Sequence, residues 1–238
     1  MRLLAIETSG RTGSVALAED AEVLLAEQFP HGLRNAAGIL PLIDRLTRRA
    51  GWTPRDLDAV LLSLGPGSFT GLRIAVTLAK TLSFATGAKL VGVPSTDVLV
   101  RNAPREARHV IIVLDAKRGQ VFTARHERVG ATWVEREPPH LDTLHAMLAR
   151  SPRPVHLVGE GIDYHRQSIP DTPDVIVTAP ELWQARAEEV VAAAQDRLLR
   201  GLFDDPLTMT PIYIRLAEAE EKRLASAAAN VESRPRDL

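Results

Sequence analysis

The sequence contains no cysteine, which excludes disulfides, thiolate metal sites and cysteine nucleophiles together. It contains no apolar run near the roughly 18 residues that a membrane-spanning helix requires. Its opening, MRLLAIETSG, lacks the long apolar region and small-residue cleavage site of a signal peptide. The expectation is a cytoplasmic protein with no membrane association. An excess of charge of one sign is also missing, since 29 basic and 30 acidic residues leave a formal net charge of −1. That balance argues against a chain that grips nucleic acid by itself through a broad basic face, although a local patch stays compatible with it. What is present, 45% hydrophobic and 25% charged residues over 238 positions, is the composition of a globular protein of one or two domains.

The chain begins with three strand-like segments, LLAIETS, SVALAED and EVLLAEQF, separated at Gly10, Gly13 and Asp20. In the following HGLRNAAGILPLIDRLTRRAG, Leu33, Ala36, Leu40, Ile43 and Leu46 recur at helical spacing, with Pro41 as a kink or a late start and Gly51 as a stop. A strand (LDAVLLSLG), a glycine turn, a helix from about Thr70 to Ala85 and another strand (KLVGV) complete an α/β pattern. The second half repeats the opening in outline: HVIIVLDAKRGQVFTARHERV sets Asp115 through Val121 against Glu7 through Val15. LDTLHAMLARS and ELWQARAEEVVAAAQDRLLRG read as helices, and VHLVGEG and DVIVT as short strands between them. The segment after Leu216 is charged, alanine-rich and poor in large apolar residues, the pattern of a frayed helix or a disordered tail.

The glycine turn GPGSFTGLR fails the tests for known phosphate loops. Leu72 stands where a GxxxxGK[ST] loop needs its lysine, and Thr70 stands where the third glycine of GxGxxG belongs. A serine elbow around Ser68 would need glycines where Pro66 and Thr70 sit, so Ser68 reads as a turn or cap residue. The seven histidines are scattered, and His31 with Asn35 makes only half of a two-histidine helical metal pair. No metal site is expected. Glu7 and Asp115 end equivalent strands, where an acid can hold a metal-nucleotide or act as a base, or can accept hydrogen bonds from turn amides.

Four blocks, LLAIETS, GPGSFTGLRIA, LDAKRGQVF and PIYIR, occur in an order and at a chain length that resemble the TsaB (YeaZ) family. The resemblance implies an actin-like α/β fold of two related domains with mixed sheets flanked by helices, here 1–105 and 106–216, followed by a tail at 217–238. It also implies a non-catalytic subunit that supports the TsaD-type transferase, together with the TsaE-type ATPase, in forming threonylcarbamoyladenosine in tRNA. No tightly bound cofactor is expected in this chain, ATP being used by the assembled complex. The departures agree. Asn35 replaces the second histidine of the catalytic relative, Gly159 and Gly161 are isolated rather than paired, and Glu7 stands where nucleotide-binding relatives usually carry aspartate. The alternative from another class is a nucleotide-dependent ATPase or kinase of the actin-like superfamily, with Glu7 and Asp115 as its acids.

On the helix after the glycine turn, apolar residues cover about 220° at 100° per residue, more than the roughly 100° that one sheet needs. Gly71, Ala75, Ala79 and Ser83 form a ridge of small side chains that suits close approach of another helix or of the chain's own sheet. With the family resemblance, the expectation is an interface made by the first two helices through Leu33, Ala36, Leu40, Ile43, Gly71, Ala75, Ala79, Leu82 and Ser83. It would bind the TsaD-type subunit, or a second copy of this chain in isolation.

Overall fold

A computed structural model describes residues 1–30 and 36–215. His31, Leu33, Asn35 and the expected tail at 217–238 lie outside the described residues. The first half runs β1 (Arg2–Glu7), β2 (Thr12–Glu19), β3 (Glu22–Pro30), α1 (Ala36–Arg49), β4 (Ala59–Ser63), α2 (Phe69–Thr86), β5 (Lys89–Val93) and α3 (Ser95–Leu99). The second runs β6 (His109–Asp115), β7 (Val121–Val129), β8 (Thr132–Asp142), α4 (Leu144–Arg150), β9 (Val155–Val158), α5 (Ile162–His165), β10 (Val175–Val177) and α6 (Ala187–Leu199). The strands form two five-stranded sheets, ordered β3-β2-β1-β4-β5 and β10-β9-β6-β7-β8. In each, a central strand pairs antiparallel with the next strand and parallel with a later one: β1 with β2 and β4, β6 with β7 and β9. The repeat suspected from the acid-hairpin outline is therefore a repeat of topology, as an actin-like duplication requires.

Side-chain alternation along the central strands assigns each face. Leu4 and Ile6 of β1 face a core with Ile39, Leu42, Ile43 and Leu46 of α1 and Ala75, Val76 and Ala79 of α2. Leu3 and Ala5 face the opposite way, into a layer shared with Val110, Ile112 and Leu114 of β6. Ile111 and Val113, one residue out of phase, face a third core with Leu144, Met147 and Leu148 of α4. The shared layer also holds Ala187, Val190, Val191 and Ala194 of α6. The last helix of the stretch expected as a second domain thus returns to the first sheet, where Ser14 Oγ accepts a hydrogen bond from the Ala187 amide at 2.8 Å.

Two features differ from the sequence reading. β8 was not expected, because TWVEREPPHLD carries alternating charges and two prolines. It is an edge strand, and the pairing with β7 skips Pro138 and Pro139, where a missing amide donor costs no ladder bond. The final helix starts at Ala187 rather than near Glu181, because Trp183 is buried before it and donates from Nε1 to Thr178 O at 2.9 Å.

The small-residue ridge of α2 requires a correction. Gly71, Ala75, Ala79 and Ser83 are all buried, and Ala75 and Ala79 lie in the core beneath the first sheet. Ile43 is buried in the same core. Small side chains let α2 lie close to its own sheet, so this ridge is spent inside the chain. Ala79→Glu should therefore unfold the protein or lower its stability by more than about 3 kcal/mol, because a carboxylate would enter an apolar core unpaired. Thermal denaturation checks this; a variant that melts like the wild type would contradict the burial.

Candidate functional site

The two sheets place their central-strand ends, Glu7 and Asp115, at a cleft between the halves. Both carboxylates act as turn acceptors: Oε1 of Glu7 accepts the Ser9 amide at 2.5 Å, and Oδ1 of Asp115 accepts the Lys117 amide at 3.0 Å, each two residues further on. Glu7 is fully buried and also accepts a hydrogen bond from the Ser63 hydroxyl. Burial raises its pKa, and the hydrogen bonds from Ser63 and Ser9 offset only part of that shift. His165 Nε2 lies 3.3 Å from Asp115 Oδ1.

The inner part of the cleft is a cavity of about 230 Å³ that includes Ser9, Gly10, Arg11, Glu160 and Tyr164 in its lining. Here Glu160, from the turn after β9, reaches across the halves and accepts the Arg11 amide at 3.0 Å, while the Arg11 guanidinium lies 4.7 Å from the Tyr164 ring centre. Burial pushes the Glu160 carboxyl above its usual range. The turn after β1 thus has its Ser9 and Arg11 amides engaged by the chain's own carboxylates, where an incoming phosphate would otherwise seek donors. The glycine turn closes the same region. A Cβ on Gly67 would sit 2.4 Å from Ser9 O, and the Ser68 amide donates to that oxygen at 2.7 Å. Ser68 then caps α2, its hydroxyl accepting the Gly71 amide at 3.3 Å. The glycines bring backbone against backbone and leave no phosphate cradle between them.

A second feature lies on the outer side of α1 and α2. Leu40, Ile74, Leu78 and Leu82 line an apolar groove of about 410 Å³, edged by Arg73, Thr77 and Thr81. Leu40 is 56% exposed. Of the expected interface residues, Leu40 and Leu82 line this groove, Gly71, Ala75, Ala79, Ser83 and Ile43 do not, Ala36 opens α1, and Leu33 is outside the described residues. Sequence reasoning missed Ile74 and Leu78. The available signal was a second ridge, Ile74, Leu78 and Leu82, each four apart and one residue out of phase with the small one: small residues fit against a sheet, so the large apolar surplus faces outward.

One group of potential metal donors occurs among the described residues. Asp97, His126 and Glu135, from α3, β7 and β8, each place a donor atom within 4.8 Å of the others. His126 Nε2 is already hydrogen-bonded to Asp97 at 3.0 Å. Sequence spacing gave no sign of this group, because three separate elements assemble it.

The raised pKa of Glu7 has a definite linkage sign. A carboxyl that holds its proton more tightly in the folded chain costs stability as pH rises above the ordinary value of 4.5, until pH passes the folded value. Glu7→Gln keeps the neutral shape. The wild type should lose stability relative to Glu7→Gln as pH rises from 4.5, with a constant difference below it. Urea unfolding across that range measures the difference, and a flat profile would remove the burial argument.

A model of the family described as TsaD, tRNA N6-adenosine threonylcarbamoyltransferase, matches residues 34–223 of this chain. The tRNA threonylcarbamoyladenosine biosynthesis protein TsaB of Bacillus subtilis (strain 168) is 31% identical over 234 residues, covering 95% of this chain and 99% of the relative. The protein of the same name from Escherichia coli (strain K12) is 33% identical over 131 residues, 54% of this chain and 56% of that one. Among solved structures, YeaZ from Pseudomonas aeruginosa aligns with a TM-score of 0.76 at 25% identity, covering 89% of this chain and 99% of that one.

Proposed function

Because the chain belongs to the TsaB (YeaZ) family of tRNA threonylcarbamoyladenosine biosynthesis proteins, we propose that it is a non-catalytic scaffold subunit of that pathway. Its role is to bind and support the TsaD-type transferase, acting with a TsaE-type ATPase. The product is N6-threonylcarbamoyladenosine next to the anticodon of tRNAs that read codons starting with A. The observation that carries this reading is the open groove of Leu40, Ile74, Leu78 and Leu82 on a chain whose cleft acids are tied up in structural hydrogen bonds. An apolar groove lined by residues of α1 and α2 and edged by Arg73 and threonines fits a helical partner, since helices pack ridge into groove. The match of a transferase-family model to this chain supports a partner built on the same fold, so that two homologous helix pairs face each other. In the absence of that partner, a second copy of this chain covers the groove and the protein is a dimer.

Inner-cleft chemistry supports the non-catalytic assignment over an ATPase or kinase. Glu160 lines the inner cleft and takes up the Arg11 amide, while Glu7, buried behind it, takes up the Ser9 amide, so two backbone donors that a polyphosphate would need are already used. Leu40→Glu tests the docking reading without disturbing the core, because Leu40 is exposed in the free chain. The variant should melt like the wild type, yet lose at least about tenfold in affinity for the TsaD-type partner, since one uncompensated buried charge costs more than 1.4 kcal/mol. Sedimentation should show the isolated variant as a monomer. Full partner affinity in a folded Leu40→Glu protein would reject the groove as the interface.

A further inference from the structure

The outer cleft differs from the inner one in sign. It is a space of about 540 Å³ between the start of α2 and the β6–β7 turn, with Lys117, Arg118 and Arg215 on one side and Phe69 and Phe122 forming an apolar wall. Among the described residues Asp115 is the only acid in its lining, and that carboxylate is engaged by the Lys117 amide and by His165. Lys117, Arg118 and Gly119 are consecutive residues at left-handed φ of 60°, 54° and 73°, which makes a tight turn with two exposed cations at its tip. Arg215 donates to Ala116 O and to the Gln120 side chain, so it braces the base of this turn and adds its charge to the same cleft.

The basic and aromatic character continues beyond the cavity. Phe69 and Tyr213 lie with ring centres 5.1 Å apart, the Arg73 guanidinium sits 3.8 Å above Phe69, and its Nε donates to the Tyr213 hydroxyl at 2.9 Å. Arg73 also edges the α1–α2 groove, so a track of cations and rings runs from the cleft to the docking surface. We propose that this track binds a single-stranded segment of RNA, with Lys117 and Arg118 on phosphates and the aromatic wall against an unpaired base. The choice of RNA over a mononucleotide rests on shape and sign. A compact nucleotide seated deep in the cleft meets the Glu160 carboxyl and finds the Arg11 amide already taken, whereas an extended polyanion lying across the outer rim meets cations and ring faces along its length. The identity of that RNA as the tRNA substrate rests on the scaffold reading above.

The test is fluorescence anisotropy of unmodified tRNA titrated with the full-length chain, alone and with its TsaD-type partner. Lys117→Glu/Arg118→Glu should weaken binding at least tenfold and leave the melting temperature unchanged. It should also reduce the slope of log affinity against log salt by about 1.4, two contacts at about 0.7 each. Phe122→Leu should weaken binding about fivefold without changing that slope. Lys89→Glu, on the exposed start of β5, is the control for non-specific charge and should have little effect. No tRNA binding in either setting, equal losses from Lys89→Glu and the double variant, or displacement of tRNA by ATP at matched phosphate concentration would each overturn the proposal. Failure of the scaffold reading is seen separately, as unchanged partner affinity in Leu40→Glu, while the tRNA titration of the chain alone is read independently of it.

Discussion

The apolar layer between the two sheets is the constraint on which every other feature depends. Leu3 and Ala5 of one central strand and Val110, Ile112 and Leu114 of the other are buried in the same layer, and α6 fills the space beside them. Burial at about 25 cal/mol per Å² makes such a layer a large part of the stability of a chain this size. Its effect on the site is geometric. With both central strands anchored in this one layer, Glu7 and Asp115 at their ends are held relative to each other, and the Glu160 carboxylate reaches the Arg11 amide across the cleft. Arg197 of α6 adds a polar tie, donating to Gly92 O at 2.6 Å and to Asp204 at 2.9 Å.

In nucleotide-dependent machines built on two halves, the cleft is the place where binding energy is spent on closure. Here the chain's own groups take up donors around the inner cleft: Glu160 accepts the Arg11 amide, Glu7 behind it accepts the Ser9 amide and the Ser63 hydroxyl, and Gly67 packs against Ser9. Of these, the Glu160–Arg11 bond spans the two halves and favours one arrangement of them.

Much of the architecture was legible in the sequence because the strands are strongly apolar and punctuated by glycine. All three opening strands, the α2 boundaries within a residue and the duplicated acid-hairpin follow from period and turn signals. β8 was hidden because an edge strand tolerates the prolines and charges that argue against a strand in general. The return of α6 to the first sheet was hidden because nothing local distinguishes a helix that packs on its sequence neighbours from one that packs on a distant sheet. For the candidate interface, the two helices were identifiable and the face was not. Helical spacing shows that α2 carries two apolar ridges, but Ala79 and Leu78 differ by only 100° in direction, and only the sheet's position decides which of them is buried.

Arg73 lies at the junction of the groove and the cleft, stacked on Phe69 and hydrogen-bonded to Tyr213 while edging the groove. A residue placed so would enter both binding equilibria if each surface takes a ligand. Whatever free energy a groove occupant spends or gains by re-aiming that guanidinium must reappear, with the same magnitude, in the affinity of a cleft occupant that touches it, because binding linkage is reciprocal. Both surfaces include residues of the single 18-residue helix α2. Occupancy of the groove and of the cleft would then be coupled through a single side chain, equally in either order of binding, with neither ligand touching the other.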